Sequence, residues 1–158
     1  MPLTPMIELF HPNEADQSIA GKTLFRVKFY VVKTEPSDVK EWVKGYDKKT
    51  KKYHSLKSAS ASSATPYYQV QLNCKDISTQ SNSKMYKLFL FSDSPNSKED
   101  PAQMFFKGIA PDNLHKNVDA RKKLEEISAN LKKFNMWVDA VVERRNGFYF
   151  IRDTKLLF

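Results

Sequence analysis

The chain has 158 residues, the length of one domain with room for a single proper core. Hydrophobic residues make up 41% and charged residues 28%, a balance that excludes wholesale disorder. No apolar run exceeds four residues, far short of the ~20 that a membrane-spanning helix needs, so no membrane partner is expected. Twenty-six Lys and Arg against 18 Asp and Glu give a net charge of +8, an excess that draws polyanions through long-range attraction and counterion release.

The first residues carry neither the basic start nor the long apolar stretch of a secretory signal. Residues 1–21 read as an N-terminal extension. From Lys22 to Lys33 the chain is β-branched and aromatic, with Val27, Phe29 and Val31 on one face of a strand. Residues 35–66 then form a long polar loop rich in Lys and Ser. Within it, Lys40 to Lys57 hold seven lysines against Glu41 and Asp47, and Ser58 to Ser63 have linker composition. Most charge runs are solvated faces, but a loop this long is usually either functional or unstructured.

Tyr67 to Cys74 alternates cleanly, with Tyr68, Val70, Leu72 and Cys74 pointing one way. Cys74 is the single cysteine. It excludes an internal disulfide and fits a reducing, intracellular compartment. A polar turn, Ser78 to Ser83, leads to a further strand over Lys84 to Ser92, and a loop with Pro95, Pro101 and Pro111 follows. Asp119 to Phe134 reads as a helix, because Ala120, Leu124, Ile127, Leu131 and Phe134 fall within roughly an 80° arc, with Asn117 or Asp119 as the cap. Met136 to Arg144 and Phe148 to Leu156 are two strands joined at Asn146-Gly147, a strong type I′ hairpin signal.

Strand, long loop, strand, strand, helix, strand, strand is the order of an OB-fold, a mainly β, five-stranded Greek-key barrel. The predicted domain spans residues 22–158, with its one helix between strands 3 and 4 and the basic loop 35–66 between strands 1 and 2. An open sheet with one helix on it uses the same elements and is the competing architecture.

The stretch VKFYVVKTEPSDVKEWVKGYDKKTKKYHSLKS, followed by PYYQVQLNCKDIST and KMYKLFLFS, resembles an OB-fold of the telomere end-binding proteins, the ciliate alpha subunit type and protection-of-telomeres type. The closing FNMWVDAVVERRNGFYFIRDTKLL is similar to the last two strands of such domains. The resemblance covers residues 22–158 and is nearest to the C-terminal domain of that family. It implies a nuclear, non-catalytic module at chromosome ends that docks another telomere protein subunit and helps hold single-stranded telomeric DNA. It also implies a piece of a longer chain. Some relatives build a zinc site from cysteines in the first loop; here residues 35–66 hold no Cys and only His54, so no metal and no cofactor is carried over.

An OB-fold binds across strands 2 and 3, between the first-second and fourth-fifth loops. Single-stranded DNA there needs cations for phosphates and rings for bases. The candidate cations are Lys48, Lys49, Lys51 and Lys52 in the long loop and Arg144 and Arg145 beside the Asn-Gly turn. The candidate rings are Tyr30, Tyr67, Tyr86 and Tyr149, whereas Phe29, Phe89, Phe148 and Phe150 read as core. Trp42 is a candidate partner anchor if exposed and a loop tether if packed. The alternatives are direct binding of single-stranded DNA in the manner of replication protein A and, less favoured, a nuclease using Asp139 and Glu143 with Arg144. Bare tyrosine beside lysine would favour bases; a dry apolar trough would favour a peptide.

Overall fold

The computed structural model describes residues 1–10, 21–55, 64–77, 84–133 and 136–156. In chain order they form α1 (Met6–Phe10), β1 (Leu24–Glu35), a 3-10 turn (Val39–Glu41), β2 (Val43–Asp47), β3 (Lys52–Ser55), β4 (Thr65–Lys75) and β5 (Tyr86–Phe91). Then come α2 (Pro101–Phe105), α3 (Asn113–Lys116), α4 (Val118–Leu131), β6 (Trp137–Arg145) and β7 (Phe148–Leu156). The predicted segments Ser58 to Ser63 and Ser78 to Ser83, and Phe134, lie outside the described residues. Among the described residues no helix is long and apolar enough to cross a membrane.

β1 buries Phe25, Val27, Phe29 and Val31, the face that period-two alternation predicts. The register then slips between Val31 and Lys33. Val32 is left 40% exposed, and Thr34 becomes the next inward residue. This bulge bends the strand and lets it serve two partners. Leu24 to Tyr30 pair with β6, and Tyr30 to Glu35 pair with β4. β4 pairs with β5, β5 runs parallel to β7, and β7 pairs with β6. The circuit β1-β4-β5-β7-β6-β1 is closed. Inside lie the alternate residues of each strand, including Tyr68, Val70, Leu72 and Cys74 from β4 and Leu88 and Leu90 from β5.

α4 lies between β5 and β6 as predicted, and Asn117 caps it by accepting from the amides of Asp119 and Ala120 at 3.0 and 3.2 Å. Ala120, Leu124, Ile127 and Leu131 form its buried stripe. The short α2 and α3 are additional. Asp100 caps α2 and also accepts from the amides of Asp93 and Ser94, so one buried carboxylate ties three backbone N–H groups together.

Two departures from the sequence reading concern the ends of the predicted barrel. The basic loop is not structureless: β2 and β3 form a hairpin whose strand β2 pairs with the first half of β4, giving seven strands. At four and five residues, these strands are too short to show a clear period among lysines. The hairpin turns at Asp47, which accepts at its backbone oxygen from Lys51 N–H and at its carboxylate from Lys49 N–H. Residues 1–10, expected as an extension, instead pack into the domain. Met6 and Leu9 are buried in the common core. Thr4 donates to the Arg26 carbonyl at 2.8 Å, Met6 N–H to Asp76 at 2.6 Å, and the Tyr149 hydroxyl to the Leu9 carbonyl at 2.8 Å.

If residues 1–10 are part of the fold, Leu9→Ala should destabilise the chain by about 2–5 kcal/mol, the cost of a large-to-small change in a packed core. A thermal melt checks this; a wild-type midpoint would restore the extension reading.

Candidate nucleic-acid and partner interface

The outward face of the β2–β3 hairpin is built by alternation. Val43 and Gly45 turn inward, so Lys44 and Tyr46 turn outward. Tyr46 stands directly opposite Tyr53 of β3. Tyr67, the outward neighbour of buried Tyr68 on β4, lies opposite Lys44. The three rings meet at 5.0 Å (Tyr46–Tyr53), 5.7 Å (Tyr46–Tyr67) and 5.8 Å (Tyr53–Tyr67). Tyr53 is 46% exposed. Its hydroxyl is held above the ordinary phenol pKa, first by burial and then by Tyr67 and Tyr46, against the opposing hydrogen bond from Gln69. Lys48, Lys49, Lys51 and Lys52 project from the hairpin tip into solvent.

The same face continues onto β5 and β7. Leu88 and Leu90 point inward, which turns Phe89 and Phe91 outward; Ile151 and Tyr149 point inward, which turns Phe148 and Phe150 outward. Phe89 touches Phe91, Phe148 and Phe150, each at 5.5 Å between ring centres. Phe148 is 54% exposed. The Arg145 guanidinium lies 4.2 Å from the centre of the Phe150 ring and pairs with Glu143 at 2.9 Å. Next to Phe148 is a cleft of about 450 Å³ floored by Phe10, Met85 and Phe89 and edged by Lys84 and Lys87.

Between the two aromatic groups the surface is polar. Gln69 is in register with Phe91 and Gln71 with Phe89. Gln71 and Asn73 both donate to the Glu35 carboxylate, at 3.2 and 3.0 Å. A belt of tyrosines, amides and phenylalanines thus crosses β3, β2, β4, β5 and β7. At about 4.8 Å per strand it is roughly 19 Å across. A larger cleft, about 470 Å³, lies against Leu3, Pro5, Ile77 and Trp137 and shares no residue with the belt.

The structure sorts the predicted residues. The four lysines lie on the hairpin with Tyr67 of β4 beside it, and Arg145 joins the phenylalanines at the far end. Tyr30 is half-buried and meets Trp137 edge-on at 5.1 Å, apart from the belt. Tyr86 and Tyr149 are corrections: both are buried and cannot stack on a base. Phe89, Phe148 and Phe150 are the converse correction, outside where the sequence reading put them inside. FYFI is apolar at every position, so periodicity alone leaves its parity open. Burial of Tyr149 wins because its hydroxyl finds the Leu9 carbonyl, satisfying the polar group. Phe29 is core as expected. Arg144 lies 5.9 Å from the Phe25 ring centre and donates to the Lys22 carbonyl at 3.4 Å.

Trp42 is fully buried, stacked on Phe106 at 5.0 Å, with its indole N–H donating to the Pro36 carbonyl at 2.8 Å. It tethers the hairpin and is no exposed anchor. Burial raises the Cys74 thiol pKa well above its ordinary value, as for packing rather than reactivity. Asp139 and Glu143 do not converge with Arg144: the Asp139 carboxylate takes both Nε and Nη2 of Arg26, and Glu143 takes Arg145. Tyr46, Tyr53 and Phe91 were missed by the sequence reading. The signal available for the first two was the spacing of tyrosines among the lysines.

Five strands closed into a barrel, a helix between the third and fourth, and a ligand-type face flanked by the first-second and fourth-fifth connections define an OB-fold. Over all 158 residues, the chain is 51% identical to telomere-binding protein subunit alpha of Sterkiella nova and 49% identical to that of Stylonychia mytilus, covering 30% and 31% of those proteins. It is 33% identical to a telomere-binding protein homolog of Euplotes crassus, again over about 30% of that protein. The chain is therefore homologous to a stretch of the telomere-binding alpha subunits and spans about a third of the length of these curated relatives. No family model matches. A replication protein A heterotrimer bound to single-stranded DNA aligns with 85% of this chain and 32% of its own, at 12% identity and a TM-score of 0.47; the fold assignment rests on the strand pairings.

Two outcomes follow from the geometry. Trp42→Ala should lower stability by about 3–5 kcal/mol, seen as a lower thermal midpoint; loss of partner binding at an unchanged midpoint would return Trp42 to the role of anchor. Burial alone would raise the Asp93 pKa, but hydrogen bonds from Arg152 and Ser94 outweigh it and hold it below the ordinary value. A depressed carboxylate stabilises above its unfolded pKa and loses that contribution as pH falls through the folded one. The stability difference between wild type and Asp93→Asn, no more than about 1 kcal/mol for so exposed a pair, should therefore hold above about pH 4, begin to shrink there, and disappear only as pH falls through the lower folded pKa. Melts across pH 3–7 check it.

Proposed function

We propose that this chain is a non-catalytic OB-fold module of a telomeric single-stranded DNA end-binding complex, working in the nucleus at chromosome ends. Its belt docks a segment of another telomere protein subunit at the phenylalanine end, and its lysine-bearing hairpin helps hold the single-stranded overhang. The observation that carries this reading is the outward belt itself, an aromatic face lying where an OB-fold binds and edged at one end by exposed lysines. Its location on a chain homologous to telomere-binding alpha subunits supplies the setting.

The two ends differ in chemistry. Arg145 and Arg152 at the phenylalanine end already have carboxylate partners, Glu143 and Asp93, and the neighbouring cleft is floored by rings and Met85. This suits an extended apolar segment whose side chains fill pockets. At the hairpin, Lys48, Lys49, Lys51 and Lys52 make no ion pair among the described residues. This suits phosphates. The tyrosines beside them also favour the second reading, in which the domain grips single-stranded DNA directly in the manner of replication protein A.

Two variants separate the roles. Changing the four lysines to Gln should weaken binding of a telomeric oligonucleotide and flatten its dependence on log salt by up to about 3, at roughly 0.7 per phosphate contact on a single strand. Phe89→Asp with Phe148→Asp should abolish co-purification with a co-expressed candidate subunit and leave oligonucleotide affinity intact. Absence of both wild-type activities would sink the proposal.

A further inference from the structure

We propose that Ser94 is a phosphorylation site, and that Arg152 and Arg145 hold its phosphate at the edge of the phenylalanine cluster. A phosphate there disfavours docking at that end of the belt. This consequence rests on the reading that the phenylalanine end docks a partner segment; the site itself does not.

Three hydroxyl residues precede a proline, the pairing that proline-directed kinases require: Thr4, Thr65 and Ser94. Two of them are held against the sheet. Thr4 donates its amide to the Arg26 carbonyl at 2.8 Å, and Thr65 is in register with Tyr46 of β2. Both are half-buried, whereas Ser94 is exposed in the loop between β5 and α2. Its carbonyl accepts from Ser97 N–H at 3.1 Å, with Pro95 second in the turn and Asn96 third, at a φ of 67°. That is the pattern of a type II turn. The Ser94 amide is tied inward to Asp100 at 2.9 Å, while its hydroxyl donates to the neighbouring Asp93 carboxylate at 3.0 Å. Exposed loop tips of this kind are where enzymes gain access to a folded chain.

Two guanidiniums face this loop. Arg152 of β7 pairs with Asp93, and the Arg145 charge also helps hold the Asp93 carboxylate below its ordinary range. Glu143, paired with Arg145 at 2.9 Å, and the buried Asp100 are the other carboxylates of the neighbourhood. Phosphorylation moves the γ-phosphoryl group of a nucleoside triphosphate onto Ser94 Oγ. The new O–P bond forms as the bond to the leaving nucleoside diphosphate breaks, and the hydroxyl proton passes to the kinase's base. The product carries up to two negative charges and three acceptor oxygens, against the single charge of Asp93 or Glu143. Planar guanidiniums grip phosphate by two-point hydrogen bonds, so the phosphate draws Arg152 and Arg145 to itself.

Position sets the consequence. Phe91 and Phe150 meet at 5.7 Å, and the residues two further along each segment, Asp93 and Arg152, form the next rung. The ion pair thus closes one end of the phenylalanine cluster, with Ser94 directly after it. A hydrated dianion there must shed water when an apolar segment lies over the rings, and that desolvation opposes docking. The hairpin lysines are at the other end of a belt roughly 19 Å across. That exceeds the screening length of about 10 Å at 0.1 M salt, so they barely sense the added charge.

The test treats the purified 158-residue chain with a proline-directed kinase and magnesium ATP. The expected result is one phosphate, mapped to Ser94 by tandem mass spectrometry, and none on Ser94→Ala. Phosphate confined to Thr4 or Thr65, or no phosphate at all, would overturn the site. Phosphorus NMR of the modified chain then reads the titration of the phosphate itself. Arg152→Gln and Arg145→Gln, each shown folded by circular dichroism, should raise its midpoint by at least about half a pH unit. A midpoint unchanged in both would overturn the arginine hold. Modified chain should capture the candidate subunit at least about tenfold more weakly than unmodified chain, with oligonucleotide affinity within about twofold. Equal capture would overturn the consequence for docking. Unmodified chain that captures no subunit would overturn the docking reading and that consequence with it, and the mass and phosphorus measurements would still decide the site.

Discussion

Closure of the barrel depends on β1 bonding two different strands along one length. Twelve residues extend about 40 Å, long enough to pair with β6 and then with β4, provided the strand bends between them. The bulge at Val32 supplies the bend. Because the extra residue shifts the alternation by one, the inward set passes from Val27, Phe29 and Val31 to Thr34. The Thr34 hydroxyl is left buried without a partner among the described residues. An unbonded hydroxyl in that position is a local penalty tolerated because the alternative register would turn Lys33 into the core.

Closure in turn creates the belt. β4 gives its first half to β2 and its second half to β1 along one edge, while its other edge pairs with β5. The hairpin is thereby placed beside the barrel wall rather than above it, and Tyr46 and Tyr53 become continuous with Tyr67. At the other end, the parallel contact of Phe89 with Phe150 brings the two phenylalanine pairs into one cluster. Trp42 fixes the approach of the hairpin by occupying the core beside Phe106 and Tyr68. The belt is therefore assembled by four separate stretches of chain that only the closed sheet brings together.

The N-terminal segment has a structural role with consequences for the belt. Phe10 stacks on Tyr86 at 4.6 Å and lies 4.9 Å from Tyr149, and the Leu9 carbonyl takes the Tyr149 hydroxyl. These contacts draw both tyrosines inward. In a strand, that decision is transmitted to every neighbour, because alternate residues must face opposite ways. Seating of α1 against β5 and β7 is thus coupled to exposure of Phe148, Phe150 and Phe89.

Local pattern alone determined the strand order, the helix stripe, the Asn146-Gly147 turn and the inward face of β4. Each is encoded within about ten residues: a clean alternation, a 3.6-residue period, or a pair of residues that accept positive φ, as Asn146 and Gly147 do at 53° and 82°. The lysine cluster was legible for the same reason, since charge needs no partner to be seen. Tertiary structure alone decided which face of the apolar run at Phe148 to Ile151 looks outward, that two short strands form within the lysine-rich stretch, and that residues 1–10 join the core. An unbroken apolar run has no internal phase, and a four-residue strand has no measurable period. A hydroxyl finds its acceptor, as Tyr149 finds Leu9, only when segments distant in sequence meet.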